Sequence, residues 1–128
     1  MKIGVLISGR GSNLKSLIDA CAAPGFPAEM VLVISNKADA GGLQFARDAG
    51  IPTRVVSHRD YDSREAFDRV MDEALREAGV DFVCSAGFMR ILSDEFVEKW
   101  RDRQLNIHPS LLPSFKGLNV YARAIEAG

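Results

Sequence analysis

Short runs of apolar residues alternate along the chain with segments in which apolar residues recur at helical spacing. Apolar runs typical of buried strands lie at Lys2–Ile7, Met30–Ser35 and Val80–Ala86. Thr53–Ser57 is expected to form a further, shorter strand. A last strand is expected to carry Asn106 and His108. The alternation of strand and helix predicts an α/β fold, an open and mostly parallel sheet with helices on both faces.

Cap and stop signals predict where the helices lie. Ser12 and Asn13 can cap a first helix that carries Leu14, Leu17, Ile18 and Cys21 at helical spacing. A polar connection, Asn36 to Gly42, leads into a second helix that is expected to end at Gly50. The remaining signals are a capping pair at Asp62 and Glu65, a stop at Gly79, a cap at Ser93 before Phe96, Val97 and Trp100, and an amphipathic helix from Asn119 to Ala127.

A glycine-rich turn joins the first strand to the first helix, and it reads Ser8-Gly9-Arg10-Gly11-Ser12-Asn13. Glycines let the backbone approach a ligand closely, and the free N–H groups at a helix start favour an anion. The turn lacks the full dinucleotide fingerprint, because Leu14 stands where its third glycine belongs, and no Walker lysine follows Gly11. The pattern favours a phosphate ester, with a tight turn that binds nothing as the alternative.

Asn106 and His108 are two residues apart, so their side chains share one face of an extended strand. Pro109 favours this extended form, because its ring disfavours an α conformation at His108. A carboxamide and an imidazole together suit a carbonyl group whose oxygen gains negative charge under attack. For this pattern alone, an asparagine in a turn and a histidine at a strand end is the more common interpretation.

The segment Gly87 to Leu92 places apolar residues at the carboxyl end of the fourth strand, the end at which ligands bind in open parallel sheets. A flat organic ligand could lie against Phe88, Met89, Ile91 and Leu92, although plain core packing is the more common explanation for any one of them.

Composition narrows the classes of function. The chain has 128 residues, 47% hydrophobic and 26% charged, which fits one domain with a sizeable core, and its formal net charge of −1 gives no reason to expect a nucleic-acid or membrane-surface partner. Cys21 and Cys84 form no CxxC pair, so we expect two reduced core thiols, no metal site and a cytoplasmic protein. No apolar run is long enough to span a bilayer.

Four motifs together make the chain resemble the phosphoribosylglycinamide formyltransferases, the folate-dependent glycinamide ribonucleotide transformylases of purine biosynthesis. The resemblance extends over the whole chain, and its motifs are Ser8–Leu14, Ser35–Ala40, Ala86–Leu92 and Asn106–Pro113. It implies a Rossmann-like formyltransferase fold that uses 10-formyltetrahydrofolate as co-substrate and no metal. It also leaves a homodimer open.

By this resemblance, the reaction is a direct attack of the substrate amine on the formyl carbon. Asn106 is expected to hold the formyl oxygen and also to contact the folate, and His108 to stabilise and protonate the tetrahedral intermediate. The other implied roles are phosphate binding by Gly11, Ser12 and Asn13, and folate binding by Arg64, Met89, Arg90, Ile91 and Leu92.

The chain also departs from the family. Family members are longer, and their additional part carries a catalytic aspartate, so residues 1–128 are expected to be a single domain truncated at its C-terminal end and poorly active alone. Asn119, Val120 and Tyr121 replace the family's usual histidine-containing run. The alternatives are a non-catalytic phosphate-ester-binding module and a relative of formyltetrahydrofolate hydrolase or methionyl-tRNA formyltransferase.

Overall fold

A computed structural model describes residues 1–9, 12–26, 28–88 and 92–106. Within these ranges the strands are β1 (Lys2–Ile7), β2 (Glu29–Ser35), β3 (Thr53–Val55), β4 (Phe82–Ser85) and β5 (Gln104–Asn106). The helices are α1 (Ser12–Cys21), α2 (Gly42–Asp48), α3 (Arg64–Glu77) and α4 (Asp94–Lys99), with a short 3-10 helix at His58–Asp60. The predicted alternation of strand and helix is confirmed through β5.

The described strands form one parallel sheet in the order β3-β2-β1-β4-β5. β1 lies at the centre and pairs with β2 on one side and with β4 on the other. The first three strands step outward in one direction, and β4 then returns to the opposite side of β1, so the strand order reverses between β1 and β4. In open α/β sheets, ligands bind outside the carboxyl ends of the strands at such a reversal.

Two apolar clusters cover the two faces of the sheet. Alternate residues of β1 point to opposite faces, and accordingly Val5 belongs to one cluster and Leu6 to the other. The first cluster joins the sheet to α1 and α2 through Leu14, Leu17 and Leu43. The second joins it to α3 and α4 through Phe67, Met71, Leu75, Phe96 and Trp100. Helices therefore lie on both faces, as the apolar pattern predicts.

The predicted boundaries differ from the structure at several places. β2 begins one residue before its predicted start, and β4 spans Phe82–Ser85 rather than Val80–Ala86. β3 ends at Val55, two residues before the predicted end. Gly42 is the first residue of α2 and is buried. The capping pair at Asp62 and Glu65 is wrong, because the N-cap of α3 is Ser63, whose side chain accepts a hydrogen bond from the N–H of Ala66 at 3.1 Å.

Other predicted signals are confirmed or lie outside the described residues. Ser93 caps α4, where its Oγ accepts from the N–H of Phe96 at 3.2 Å. The continuation of the last strand to His108 and the helix from Asn119 to Ala127 fall beyond residue 106 and stay predictions. In the part of the chain that the structure describes, no helix is long and apolar enough to cross a membrane.

Candidate active site

The carboxyl ends of the strands bring the sequence motifs to one edge of the sheet, which we call the carboxyl edge, at Ile7, Ser35, Ser85 and Asn106. Leu6 of β1 pairs with Ser85 of β4, and Ser85 pairs with Asn106 of β5. Neighbouring strands lie about 4.8 Å apart, so the backbone of Asn106 is roughly 10 Å from that of Leu6. The described ends of the glycine turn, of the segment after β4 and of β5 therefore lie at the same edge of the sheet, and we call the region outside this edge the crevice.

The glycine turn begins directly after β1 and ends where α1 begins. Ser8 is buried, and the carbonyl of Gly9 accepts a hydrogen bond from the N–H of Gly42 at 3.0 Å, which ties the turn to the start of α2. A Cβ placed on Gly9 would meet no atom of the described residues within 4 Å, so these residues leave space open beside this backbone.

The first turn of α1 is electrostatically suited to an anion, because it contains no acidic residue. The backbone of Ser12 and Asn13 forms this turn. Arg10 and Gly11 lie outside the described residues, so the phosphate-binding roles of Gly11, Ser12 and Asn13 stay predictions.

The segment after β4 turns sharply at Gly87, whose φ of 76° is a conformation that other residues rarely adopt. A Cβ placed there would also meet no atom within 4 Å in the part of the chain that the structure describes. Phe88 and Leu92 are half-buried and pack against the second apolar cluster, each with part of its surface exposed. Met89, Arg90 and Ile91 lie outside the described residues. In the described part of this segment, two half-buried apolar side chains therefore lie near a glycine with open space beside its backbone.

Arg64 is the first residue of α3, and its side chain is exposed. α3 runs back across the sheet from the carboxyl edge, so Arg64 lies at the same edge as the segment after β4. One turn further along the helix, Asp68 accepts a hydrogen bond on Oδ2 from the N–H of Ser93 at 2.6 Å. This buried contact holds the start of α3 against the residues that follow Leu92.

Asn106 is the last described residue, and its backbone pairs with β4 as the final residue of β5. His108 lies outside the described residues, so the predicted same-face geometry of the two side chains stays a prediction.

Sequence reasoning missed three buried polar residues: Asn36, Asp68 and Asp72. Asn36 directly follows β2 at the carboxyl edge, and its Oδ1 has no hydrogen-bond partner within the described ranges. Its position after an apolar strand beside β1 was the available signal. Asp68 and Asp72 are four residues apart on α3, and each directly follows a buried apolar residue, Phe67 or Met71. This spacing beside an apolar stripe was the signal for their burial.

Both cysteines are free thiols. Cys84 belongs to the first apolar cluster and is fully buried, as predicted for a core thiol. Cys21 packs against the same cluster but is only half-buried. Burial raises the pKa of Cys21 to about 11. Burial, and secondarily the neighbouring Cys21, raise the pKa of Cys84 to about 12. Both thiols therefore stay protonated at neutral pH and are poor nucleophiles. Over the described residues, no group of three or more His, Cys, Asp or Glu side chains could hold a metal ion.

Two curated relatives match almost the whole of this chain. The chain is 55% identical over 127 residues to the trifunctional purine biosynthetic protein adenosine-3 of Homo sapiens, covering 99% of this chain and 13% of that protein. It is 50% identical over 128 residues to phosphoribosylglycinamide formyltransferase of Escherichia coli, covering all of this chain and 60% of that one.

Solved structures agree with these relatives in fold. The crystal structure of phosphoribosylglycinamide formyltransferase from Brucella melitensis matches with a TM-score of 0.81 and 50% identity, over 99% of this chain and 66% of the other. Glycinamide ribonucleotide transformylase 1 from Symbiobacterium toebii matches with a TM-score of 0.81 and 45% identity, over 100% and 60%.

The chain thus spans about 60% of the length of its bacterial curated relatives. The model of the formyl transferase family matches residues 1–128, which is every residue given. The chain therefore belongs to the formyl transferase family.

Proposed function

We propose that this chain is a formyltransferase domain that takes the formyl group of 10-formyltetrahydrofolate and transfers it to the amine of glycinamide ribonucleotide. The observation that carries the proposal is the strand register Leu6–Ser85–Asn106, which opens three chemically different segments onto one crevice. The identity of 50% to the enzyme of this name from Escherichia coli supports the choice of substrates.

The ribonucleotide phosphate is assigned to the glycine turn. Open backbone at Gly9 and a helix start without acidic residues favour a phosphate there. Gly11, Ser12 and Asn13 are the proposed phosphate-binding residues. This placement directs the rest of the substrate across the ends of β4 and β5.

The folate is assigned to the segment after β4. Among the described residues, two features fit a flat ring system. Phe88 and Leu92 are half-buried, and space lies open at Gly87. Met89, Arg90, Ile91 and Leu92 would line this pocket, and the exposed Arg64 would attract the carboxylates at the far end of the folate.

The chemical step needs one group that stabilises negative charge on the formyl oxygen and one group that transfers a proton. When the amine attacks the formyl carbon, a C–N bond forms, and negative charge develops on the formyl oxygen. Asn106 donates a hydrogen bond to that oxygen. His108 donates a proton to the folate nitrogen as the bond between that nitrogen and the formyl carbon breaks, and the attacking amine gives up one proton, so no net proton is gained or lost. Neither an enzyme nucleophile nor a metal is needed for this sequence of bonds.

Acceptor competition tests the proposal. With the longest natural form of the protein and 10-formyltetrahydrofolate, release of tetrahydrofolate is measured with glycinamide ribonucleotide, water alone or aminoacylated initiator tRNA as acceptor. We expect release only with the ribonucleotide, in equal amount to the formylated product. Release with water alone would instead indicate a hydrolase, release with tRNA a tRNA formyltransferase, and binding without release a non-catalytic module.

A further inference from the structure

A buried carboxylate on α3 contacts the main chain at the far end of the segment that follows β4. Asp68 is only 2% exposed, and its Oδ2 accepts a hydrogen bond from the N–H of Ser93 at 2.6 Å. That N–H belongs to the peptide bond between Leu92 and Ser93. Hydrogen bonds to a carboxylate are about twice as strong as those between neutral groups. Asp68 therefore holds the main chain directly beside Leu92.

The near end of the same segment is held by the sheet. The N–H of Ala86 donates to the carbonyl of Leu6 at 2.9 Å, and the chain then turns at Gly87 with a φ of 76°. The residues described beyond this turn are Phe88 and Leu92, which are both half-buried against the second apolar cluster. Hydrogen bonds thus hold the segment at both ends, to β1 at one end and to α3 at the other.

A second buried carboxylate of α3 makes a contact at the opposite end of α4. Asp72 is 5% exposed, and its Oδ1 accepts from the indole N–H of Trp100 at 2.9 Å. The two carboxylates are one helical turn apart, and each joins α3 to residues that flank α4. Of these two contacts, the one that Asp68 makes lies beside Leu92, a residue proposed to bind the folate.

Ser93 uses its side chain and its main chain for different contacts. Its Oγ accepts from the N–H of Phe96 at 3.2 Å and caps α4, whereas its N–H donates to Asp68. The φ of Ser93 is −68°, a value that proline adopts. Alanine at this position removes the cap alone, and proline removes both the cap and the N–H. The two variants therefore differ in the contact with Asp68.

We propose that Asp68 is a positioning residue for the formyl donor. Its hydrogen bond to the peptide after Leu92 keeps the Leu92 side chain against the second apolar cluster, so this side of the folate pocket is formed before the folate binds. A preformed surface lowers the cost of ordering the protein on binding. This inference rests on the proposed function, because it assumes that the folate lies along the segment after β4.

The test removes the hydrogen bond from its acceptor with Asp68→Ala and from its donor with Ser93→Pro. It uses the longest natural form of the protein, below the melting temperature of every variant. The Kd for tetrahydrofolate and the KM for 10-formyltetrahydrofolate should rise about tenfold in both variants. The Kd for glycinamide ribonucleotide, which is assigned to the glycine turn, should stay within about twofold. Asp68→Asn keeps an acceptor oxygen and should bind tetrahydrofolate within about threefold of the wild type.

Asp72→Ala and Ser93→Ala are the matched controls. The first removes a buried carboxylate from the same helix, and the second removes the cap of α4 while the N–H of Ser93 remains. Both should lower the melting temperature, because each removes a contact of the folded protein. Both should leave the Kd for tetrahydrofolate within about twofold of the wild type, because the hydrogen bond beside Leu92 is intact.

The outcomes separate this inference from the proposed function. If Asp68→Ala and Ser93→Pro bind tetrahydrofolate as the wild type does, the positioning role is overturned and the function stands. An effect in one folded variant and not in the other would show that their shared hydrogen bond is not the cause, and would also overturn it.

Two further results are decisive. Equally weak tetrahydrofolate binding in the two controls would show a general loss of structure and overturn the positioning role. If Asp68→Ala does not fold, the comparison of Ser93→Pro with Ser93→Ala decides. A wild type that binds tetrahydrofolate but does not formylate glycinamide ribonucleotide would overturn the proposed function alone, and one that does not bind tetrahydrofolate would overturn both.

Discussion

At the scale of single residues, the most consequential buried charge outside the crevice is Asp72. Its Oδ1 accepts from the indole N–H of Trp100 at 2.9 Å, and the carboxylate also meets Arg76 and Lys99 at 3.0 and 3.4 Å. Two guanidinium groups face the same indole ring, with Arg76 at 5.5 Å and Arg103 at 4.7 Å from its centroid. This cluster joins α3 to the end of α4, so its role is structural.

Asp72→Ala should lower the free energy of unfolding by about 2–3 kcal/mol, because it leaves a buried indole N–H unpaired and removes the partner of two cations. Both cations are partly exposed, which keeps the loss below that of a fully buried ion pair. Urea unfolding measures the change. Glu73→Ala, one residue along on the exposed side, is the control and should stay within about 0.5 kcal/mol. An equal effect of the two substitutions would contradict this role for Asp72.

At the scale of elements, local patterns predicted the order of strands and helices, because the apolar runs of β1, β2 and β4 are buried between two helical layers. Ends were harder to predict. Ser63 rather than Asp62 caps α3, and both are residue types that cap helices, so the choice depends on how the chain enters the helix.

The partners of the buried polar residues were not predictable from local sequence. Asp68 pairs with Ser93 and Asp72 with Trp100, partners that are 25 and 28 residues away. The burial of Asn36 likewise arises from its pairing beside β1. The glycine turn and the segment after β4 were located correctly at strand ends, because the change from an apolar run to glycine and polar residues marks where each strand ends.

The packing of α3 on β1 requires a residue without a side chain at position 4. A Cβ on Gly4 would lie 2.5 Å from Cδ2 of Leu75 and 3.1 Å from Cγ2 of Val80. Gly4→Ala should therefore lower the free energy of unfolding by about 1–3 kcal/mol, measured by urea unfolding.

Two comparisons make the Gly4 prediction specific. Gly9→Ala, just beyond the same strand, adds a methyl group into open space and should change the stability of the free protein by less than about 0.5 kcal/mol. Gly4→Ala combined with Leu75→Val should cost less than the sum of the two single changes, because the smaller side chain relieves the overlap. Additive costs would show that the overlap is not the cause.

At the scale of the whole molecule, the strand order reverses between β1 and β4, and ligands of open α/β sheets bind at such a reversal. The turn after β1, the segment after β4 and the end of β5 become neighbours although they are separated by up to about a hundred residues in the chain. Membership of the formyl transferase family and the similarity to phosphoribosylglycinamide formyltransferases give this crevice a specific proposed reaction.

The central claim is that Asn106 and His108 act on the formyl group at the crevice where the ribonucleotide binds. Single-turnover formyl transfer to glycinamide ribonucleotide, in the longest natural form of the protein, tests it most directly. Asn106→Ala and His108→Ala should each slow the transfer step about a hundredfold or more and leave the Kd for the ribonucleotide within about twofold. Gln104→Ala, an amide on the same strand that contacts the carbonyl of Val97, should transfer at close to the wild-type rate. Wild-type rates in the Asn106 and His108 variants would contradict the account.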